Sequence, residues 1–333
     1  MKVGYAVLYE DEELVISKNH TLLQKKIIKD YGEFEDTNVS WSQDCLHIKI
    51  VQILDQIKSN YVKEWFKGCI NLTTLINFKK LDVSDCKDFS CMFTFCESLQ
   101  NIDALKNWNV SNGTDFSGMF YSCQLLQDLK GLKNWNVSNG TNFSRMFYSC
   151  QLLQDLNGLQ NWNVSNGTDF SSMFGYCMSL QNINGLQNWN VSNGTDFSNM
   201  FFYCISLQNI NELKNWDVSN GTDFSSMFYS CESLQDLNRL QNWNVSNCTD
   251  FSRMFNNCKS LQNLNGLQNW NMSNSIKFSC MFELCTLLKE IYLSNTLDIL
   301  KKEMFNKCNK TLKIHWKNHI YTYEDLLEYQ TIY

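Results

Sequence analysis

Apolar positions in this chain recur on a fixed beat from about Trp65 to about Leu312. Trp108, Trp135, Trp162, Trp189, Trp216, Trp243 and Trp270 fall 27 residues apart. The Met-Phe pairs keep the same period, from Met92-Phe93 through Met119-Phe120 to Met281-Phe282. A weaker copy precedes them (Phe66, Cys69, Leu72), and a shortened one follows (Met304, Phe305, Cys308, Leu312). Self-similarity at such a period marks a solenoid or a related array, because one short unit cannot bury its apolar face alone and must stack on its copies.

One unit, begun at Cys123, places apolar residues at Leu126, Leu129, Leu132, Trp135 and Val137. The steps of three suit a chain winding along a core edge. The final step of two, Trp135-Asn136-Val137, predicts an extended segment with both side chains on one face, pairing with its neighbours as a parallel sheet ~4.8 Å apart. Ser138-Asn139-Gly140-Thr141 reads as a turn in which Asn and Gly accept positive φ. Phe143, Met146, Phe147 and Cys150 then fall at i, i+3, i+4 and i+7, which predicts a short amphipathic helix, N-capped in most copies by Asp or Thr. The fold class expected is therefore an α/β repeat solenoid. Its coils each hold a strand and a short helix, stack into one right-handed rod and keep the tryptophans inside.

Residues 1–64 lack the beat. Val3–Tyr9 and Leu14–Lys18 predict a hairpin, and Leu22–Phe34 a helix. Leu46–Ile57 is apolar-rich and fits either helix or strand. An open solenoid needs caps, so residues 1–64 are assigned as an N-terminal cap, 65–312 as the array and 313–333 as a C-terminal cap. Lys313–Trp316 is read as a last strand and Tyr323–Tyr329 as a closing helix. A small independent N-terminal domain is the rival assignment.

The order Leu-x-x-Leu-x-x-Leu-x-x-Trp-x-Val-Ser, followed by Phe-Ser-x-Met-Phe-x-x-Cys, resembles the BspA-like leucine-rich-repeat surface proteins over most of the chain. The resemblance implies stacked leucine-rich-repeat-like coils and, as in bacterial members, adhesin-like binding of proteins or cells. It points to an AT-rich bacterium, a protist or a giant DNA virus as source. Two departures stand out. Gly-Thr-Asp-Phe replaces the family's usual Val-Thr-Asp-Met, and the first residues, with Glu10 to Glu13 interrupting a short apolar run, do not read as a secretory signal. A cytoplasmic or otherwise intracellular location is expected on that ground.

Composition changes this picture little. Of 333 residues 44% are hydrophobic and 19% charged, as in folded chains, and proline is absent. A net charge of -6 and the lack of any basic run argue against nucleic acid as partner. No apolar run is long enough to span a membrane. Most of the 15 cysteines keep the repeat beat and read as buried reduced thiols, because they form a line without paired spacing or histidine. The aspartates Asp115, Asp169, Asp196, Asp223 and Asp250, interrupted by Asn142, read as caps in preference to a calcium site. Asn/Ser sequons such as Asn163-Val164-Ser165 read as turn ladders. His315 and His319 lack a third ligand.

No catalytic, cofactor or metal site is therefore assigned. Candidate partner-binding residues are Tyr121, Tyr148, Phe202 and Tyr229, at the position after Met-Phe, and Tyr176 and Tyr203 one residue later. A helical wheel turns the first position away from the core stripe. Two alternatives stay open for it, a binding face or packing between coils. The function expected is a protein-interaction scaffold, with a glycan or small-ligand binder using the Asn/Thr and aromatic ladders as the alternative.

Overall fold

The computed structural model describes residues 2–262, 264–293, 300–328 and 331–332. They divide into two compact units, Met1–Val164 and Ser165–Tyr333. The division falls inside the repeat array.

The first unit opens with strands β1 (Lys2–Tyr9), β2 (Glu13–Ser17), β3 (Ile27–Glu35), β4 (Ile50–Ile53), β5 (Ile57–Lys58), β6 (Thr74–Ile76) and β7 (Leu81–Asp82). Five of them form one sheet in the order β3-β1-β2-β4-β6. The hairpin β1-β2 and the pair β1-β3 are antiparallel, whereas β2-β4 and β4-β6 are parallel. The sheet thus converts a hairpin into the parallel stacking of the coils that follow. The helix expected over Leu22–Phe34 is instead strand β3. Its β-branched Ile27 and Ile28 favour extension, Gly32 stands at φ 67 and interrupts any helix, and the open edge of β1 supplies partners for its backbone. In the buried core of this region, the Trp41 indole donates to Trp65 O at 2.8 Å and the Trp65 indole to Asp36 O at 2.9 Å. Phe34 packs edge-on against both rings.

The coils are built from turns. In the coil around Phe120, backbone N–H groups alternate between two kinds of partner. Those of Phe116, Gly118, Phe120 and Ser122 donate to Asn142, Ser144, Met146 and Tyr148 of the next coil, at 2.7–2.9 Å. Those of Met119, Tyr121 and Cys123 donate three residues back within the coil, at 3.0–3.2 Å. The second unit repeats the pattern, with Phe197, Asn199, Phe201 and Tyr203 donating to Asp223, Ser225, Met227 and Tyr229. Alternation of this kind is incompatible with the short helix expected there, whose donors would all turn inward to i−4. Two residues four apart, Gly118 at φ 58 and Ser122 at φ 59, also lie in the left-handed region that no right-handed helix admits. The i, i+3, i+4, i+7 stripe is nonetheless buried, and Phe116, Met119, Phe120 and Cys123 have no exposed surface.

The extended pairing also lies elsewhere than expected. Parallel bridges join Asp88 to Asp115 and Asp115 to Asn142, and Asp169, Asp196, Asp223 and Asp250 join in series in the second unit. The segment Trp135-Asn136-Val137 holds no strand pairing, although Trp135 and Val137 both face the core. Nor do the turn glycines serve for positive φ, since Gly113 and Gly140 are absent from the left-handed set. Space is their reason, because a Cβ on Gly140 would stand 2.4 Å from Phe143 Cζ. Where Cys248 takes this place, the stacked pair Phe224–Phe251 opens to 6.1 Å, against 5.3 Å for Phe197–Phe224.

The second unit ends in β8 (Glu290–Tyr292), β9 (Leu300–Lys301), β10 (Lys313–Trp316), β11 (His319–Thr322), helix α1 (Tyr323–Glu328) and β12 (Thr331–Ile332). β10 pairs parallel with β8 and antiparallel with β11. The strand over Lys313–Trp316 and the closing helix are where the sequence placed them, but the strand is not the last, since β11 and β12 follow it; Tyr329 lies outside the described residues.

Rings and indole N–H groups tie the core together. In the first unit Trp108 and Trp135 stack at 6.3 Å, and each indole donates to a carbonyl of the preceding coil, Phe78 O and Leu105 O. In the second unit Trp216 stacks on Trp189 at 6.3 Å and donates to Leu186 O at 3.1 Å. Replacing Trp216 with Ala is expected to cost ~3–5 kcal/mol in urea unfolding of the full chain. A loss below ~1 kcal/mol would show that the indole column is not core.

Candidate partner-binding face

Three edges of the coil present repeated polar or aromatic groups, and each has a distinct job. On the turn edge, Asn112 and Asn139 donate their amides to Ser84 O and Ser111 O at 2.7 Å. Thr114 and Thr141 hydroxyls donate to Lys87 O and Thr114 O at 3.2 Å. Asn193, Asn220, Thr195 and Thr222 do the same in the second unit. One donor of each side chain is thus committed within the stack.

The aspartate column closes turns. Asp115 Oδ1 accepts the Ser117 N–H at 2.8 Å, and Asn142 Oδ1 accepts that of Ser144 at 3.0 Å. An amide serves as well as a carboxylate for this bond. The expected N-cap is therefore an Asx turn, since no helix follows. Burial pushes the Asp196 carboxyl above its ordinary value; hydrogen bonds from Ser198 oppose this, and Asp169 and Asp223 add to it. Asp250 is also pushed up by burial, but bonds from Ser252 and Lys277 outweigh burial and hold it below. Among the described residues no group of three His, Cys, Asp or Glu converges on a metal position.

The cysteine column is internal. Cys123 donates its Sγ–H to Phe93 O at 3.3 Å, and Cys204 and Cys231 donate to Phe174 O and Phe201 O. Burial raises the Cys204 and Cys231 thiols well above their ordinary value, so the thiolate is suppressed. His315 and His319 lie on the paired strands β10 and β11. His315 meets Glu290 Oε1 at 2.5 Å and stacks on Tyr292.

The aromatic residues stand on the outer side of the turns that carry the core stripe. Tyr121 and Tyr148 are half-buried and stack face to face at 4.9 Å. In the second unit Tyr176 stacks on Tyr203 at 4.9 Å and Phe202 on Tyr229 at 4.8 Å. The rings are thus packed on one another and still partly exposed. Both alternatives open at the sequence level hold in part, because the rings pack between coils and still form a surface. One member was missed. Phe95, 42% exposed, lies edge-on to Tyr121 at 5.4 Å. Leu125 and Leu152 follow Tyr121 and Tyr148 in their coils and are 37% and 40% exposed. Phe95 was legible as the counterpart of Tyr176 and Tyr203, one residue before the coil cysteine.

These columns are those of a stacked repeat. A family model described as "Mycoplasma protein of unknown function, DUF285" matches residues 53–157, 141–263 and 208–316. The chain belongs to this family. Among solved structures, it is similar to a leucine-rich repeat protein from Bacteroides ovatus at 14% identity and TM-score 0.41, covering 95% of this chain and 89% of that one. A leucine-rich repeat protein from Eubacterium ventriosum is similar at 12% identity and TM-score 0.35, covering 92% and 93%. The leucine-rich repeat protein of T. pallidum follows at 14% identity and TM-score 0.18, covering 86% and 87%. No curated protein sequence matches. Among the described residues no helix is long and apolar enough to cross a membrane.

The aspartate column yields a test of its role. A carboxyl raised in the folded state stabilises the fold below its unfolded value and loses that contribution as pH rises through its folded value. Asp196→Asn, which copies Asn142, is therefore expected to raise the melting temperature at pH 7, and the gain is expected to vanish below pH ~3. A fall at pH 7 would mean that the carboxylate charge is needed.

Proposed function

We propose that this protein is a non-enzymatic scaffold that binds a protein partner through the aromatic strip. The observation carrying this reading is the backbone conformation of the strip. Phe95, Tyr176 and Tyr203 sit at φ 62, 58 and 61, where equivalent coils place Ser122, Ser149, Ser230 or Asn257 and, towards the end of the array, Leu284. A bulky side chain in the left-handed region costs ~1–2 kcal/mol. Phe95 is held there 42% exposed, and Tyr176 and Tyr203 half-buried. Strained backbone of this kind clusters at binding sites and ligand clamps. Aromatic side chains supply much of the energy of protein interfaces.

The Asn and Thr ladders commit one donor each to the neighbouring coil, which favours the protein-partner reading over the glycan alternative. Residence in a reducing compartment is part of the proposal, supported by the buried thiols. Adhesin-like exposure on a cell surface, which the leucine-rich-repeat resemblance brings with it, is the competing location. In either case residues 1–64 serve as a cap that starts the parallel stacking.

Changing Tyr121, Tyr148 and Tyr229 together to Ser tests the strip. Binding to the partner recovered from the native cell is expected to fall by a factor of ~30 or more, the loss of one hot spot. Thermal stability is expected to drop only slightly, since an aromatic pair contributes ~0.5–1.5 kcal/mol. Unfolding of the variant, with binding per folded molecule intact, would make the strip a packing device only.

A further inference from the structure

The first unit breaks its own pattern at one place on the strip. The first left-handed position of successive coils is occupied by Cys91 (φ 56), Gly118 (φ 58) and Arg145 (φ 55). Gly118 presents no side chain, so a notch of about 370 Å³ opens between its two neighbours in the column. Phe95 and Tyr121 wall it, and Ser117 and Ser144 stand at its rim. The Thr94 hydroxyl, also on the wall, is committed to Gly118 O at 2.6 Å. Two cations reach the notch. Lys67 is paired with Glu64 at 2.6 Å. Arg145 is exposed, and among the described residues no carboxylate lies within ion-pair distance of it.

We propose that this notch receives the carboxylate of an acidic side chain, Asp or Glu, flanked by apolar residues in the protein partner. The inference rests on the reading of the strip as a docking face and names what that face recognises. A guanidinium is the side chain best shaped to take a carboxylate through two parallel hydrogen bonds. Aromatic walls lower the local dielectric and strengthen the pair. In a chain of net charge -6, an arginine without a partner on an aromatic strip is complementary to an acid. From the Tyr121 wall the strip runs on to the stacked Tyr148, so a partner lying along it continues beyond the notch on that side, and the carboxylate offered there is taken to be that of a side chain. Arg253 occupies the same column in the second unit, but Asn256 and Asn257 stand there in place of rings, and Asn256 is bonded to Glu283 at 3.0 Å.

The test is an NMR titration of the full chain with three probes: acetyl-Leu-Glu-Leu-amide, acetyl-Leu-Gln-Leu-amide and acetyl-Leu-Gln-Leu with a free terminal carboxylate. The Glu probe is expected to bind about tenfold or more tightly than either Gln probe, shifting the Arg145 Nε–H and Gly118 N–H signals. Arg145→Ser and Gly118→Ser are each expected to remove that advantage. Both variants copy Ser172 and Ser226, which hold the same position at φ 57 and 55, so the fold accepts them. Equal binding of the Glu and Gln amides, preference for the free terminus, no effect of Arg145→Ser, or equal displacement by inorganic phosphate would each overturn the proposal. If the Glu probe shows no dependence on Arg145 while the tyrosine triple variant still loses its native partner, the notch assignment falls and the docking strip stands.

Discussion

Everything in this structure depends on where the backbone N–H groups of the Phe-Ser-x-Met-Phe segment go. Every second one leaves its own coil and bonds to the next, while those between close turns within the coil. The left-handed residues make this alternation possible, and each costs conformational energy when it is not glycine. Unpaired backbone donors in a buried segment would cost more, ~1–3 kcal/mol each. A coil is therefore unstable alone and well satisfied in a stack. The Trp and Phe columns follow from the same constraint. Coils held by backbone bonds bring equivalent side chains into register, and rings at one position stack on rings at the same position.

Much of this was legible in the amino-acid order. The period, the inward tryptophans and the buried cysteine line follow from spacing alone, as do the hairpin β1-β2 and the strand β10. Local conformation was harder to read. Phe143, Met146, Phe147 and Cys150 carry a helical spacing, but the spacing reports only which side chains face inward. Turns of alternating hand produce the same stripe, and no propensity rule distinguishes them when the deciding bonds lie 26 residues away. Strand β3 was missed for a related reason. Its pairing partner β1 creates the strand, and Ile27 to Glu35 alone does not reveal it. Gly140 was assigned to a turn requirement although its neighbour Phe143 demands the space.

The candidate face shows the same division. The outward position of Tyr121 and Tyr148 was legible, because the residue after Met-Phe opposes the core stripe whether the segment is a helix or a run of turns. The stacking at 4.9 Å was not, since it depends on the coil-to-coil spacing. The notch at Gly118 was equally hidden. A single glycine in one column acquires meaning only when Cys91 and Arg145 are known to stand above and below it. Repetition supplies a uniform scaffold, and specificity lies in the few positions where the copies differ.

Scalar couplings across hydrogen bonds, measured by NMR, test the central claim most directly. The account predicts couplings from Phe201 N to the Met227 carbonyl carbon and from Tyr203 N to that of Tyr229. Couplings from Phe201 N to Phe197 and from Tyr203 N to Asn199, the pattern of a helix in each repeat, would contradict it.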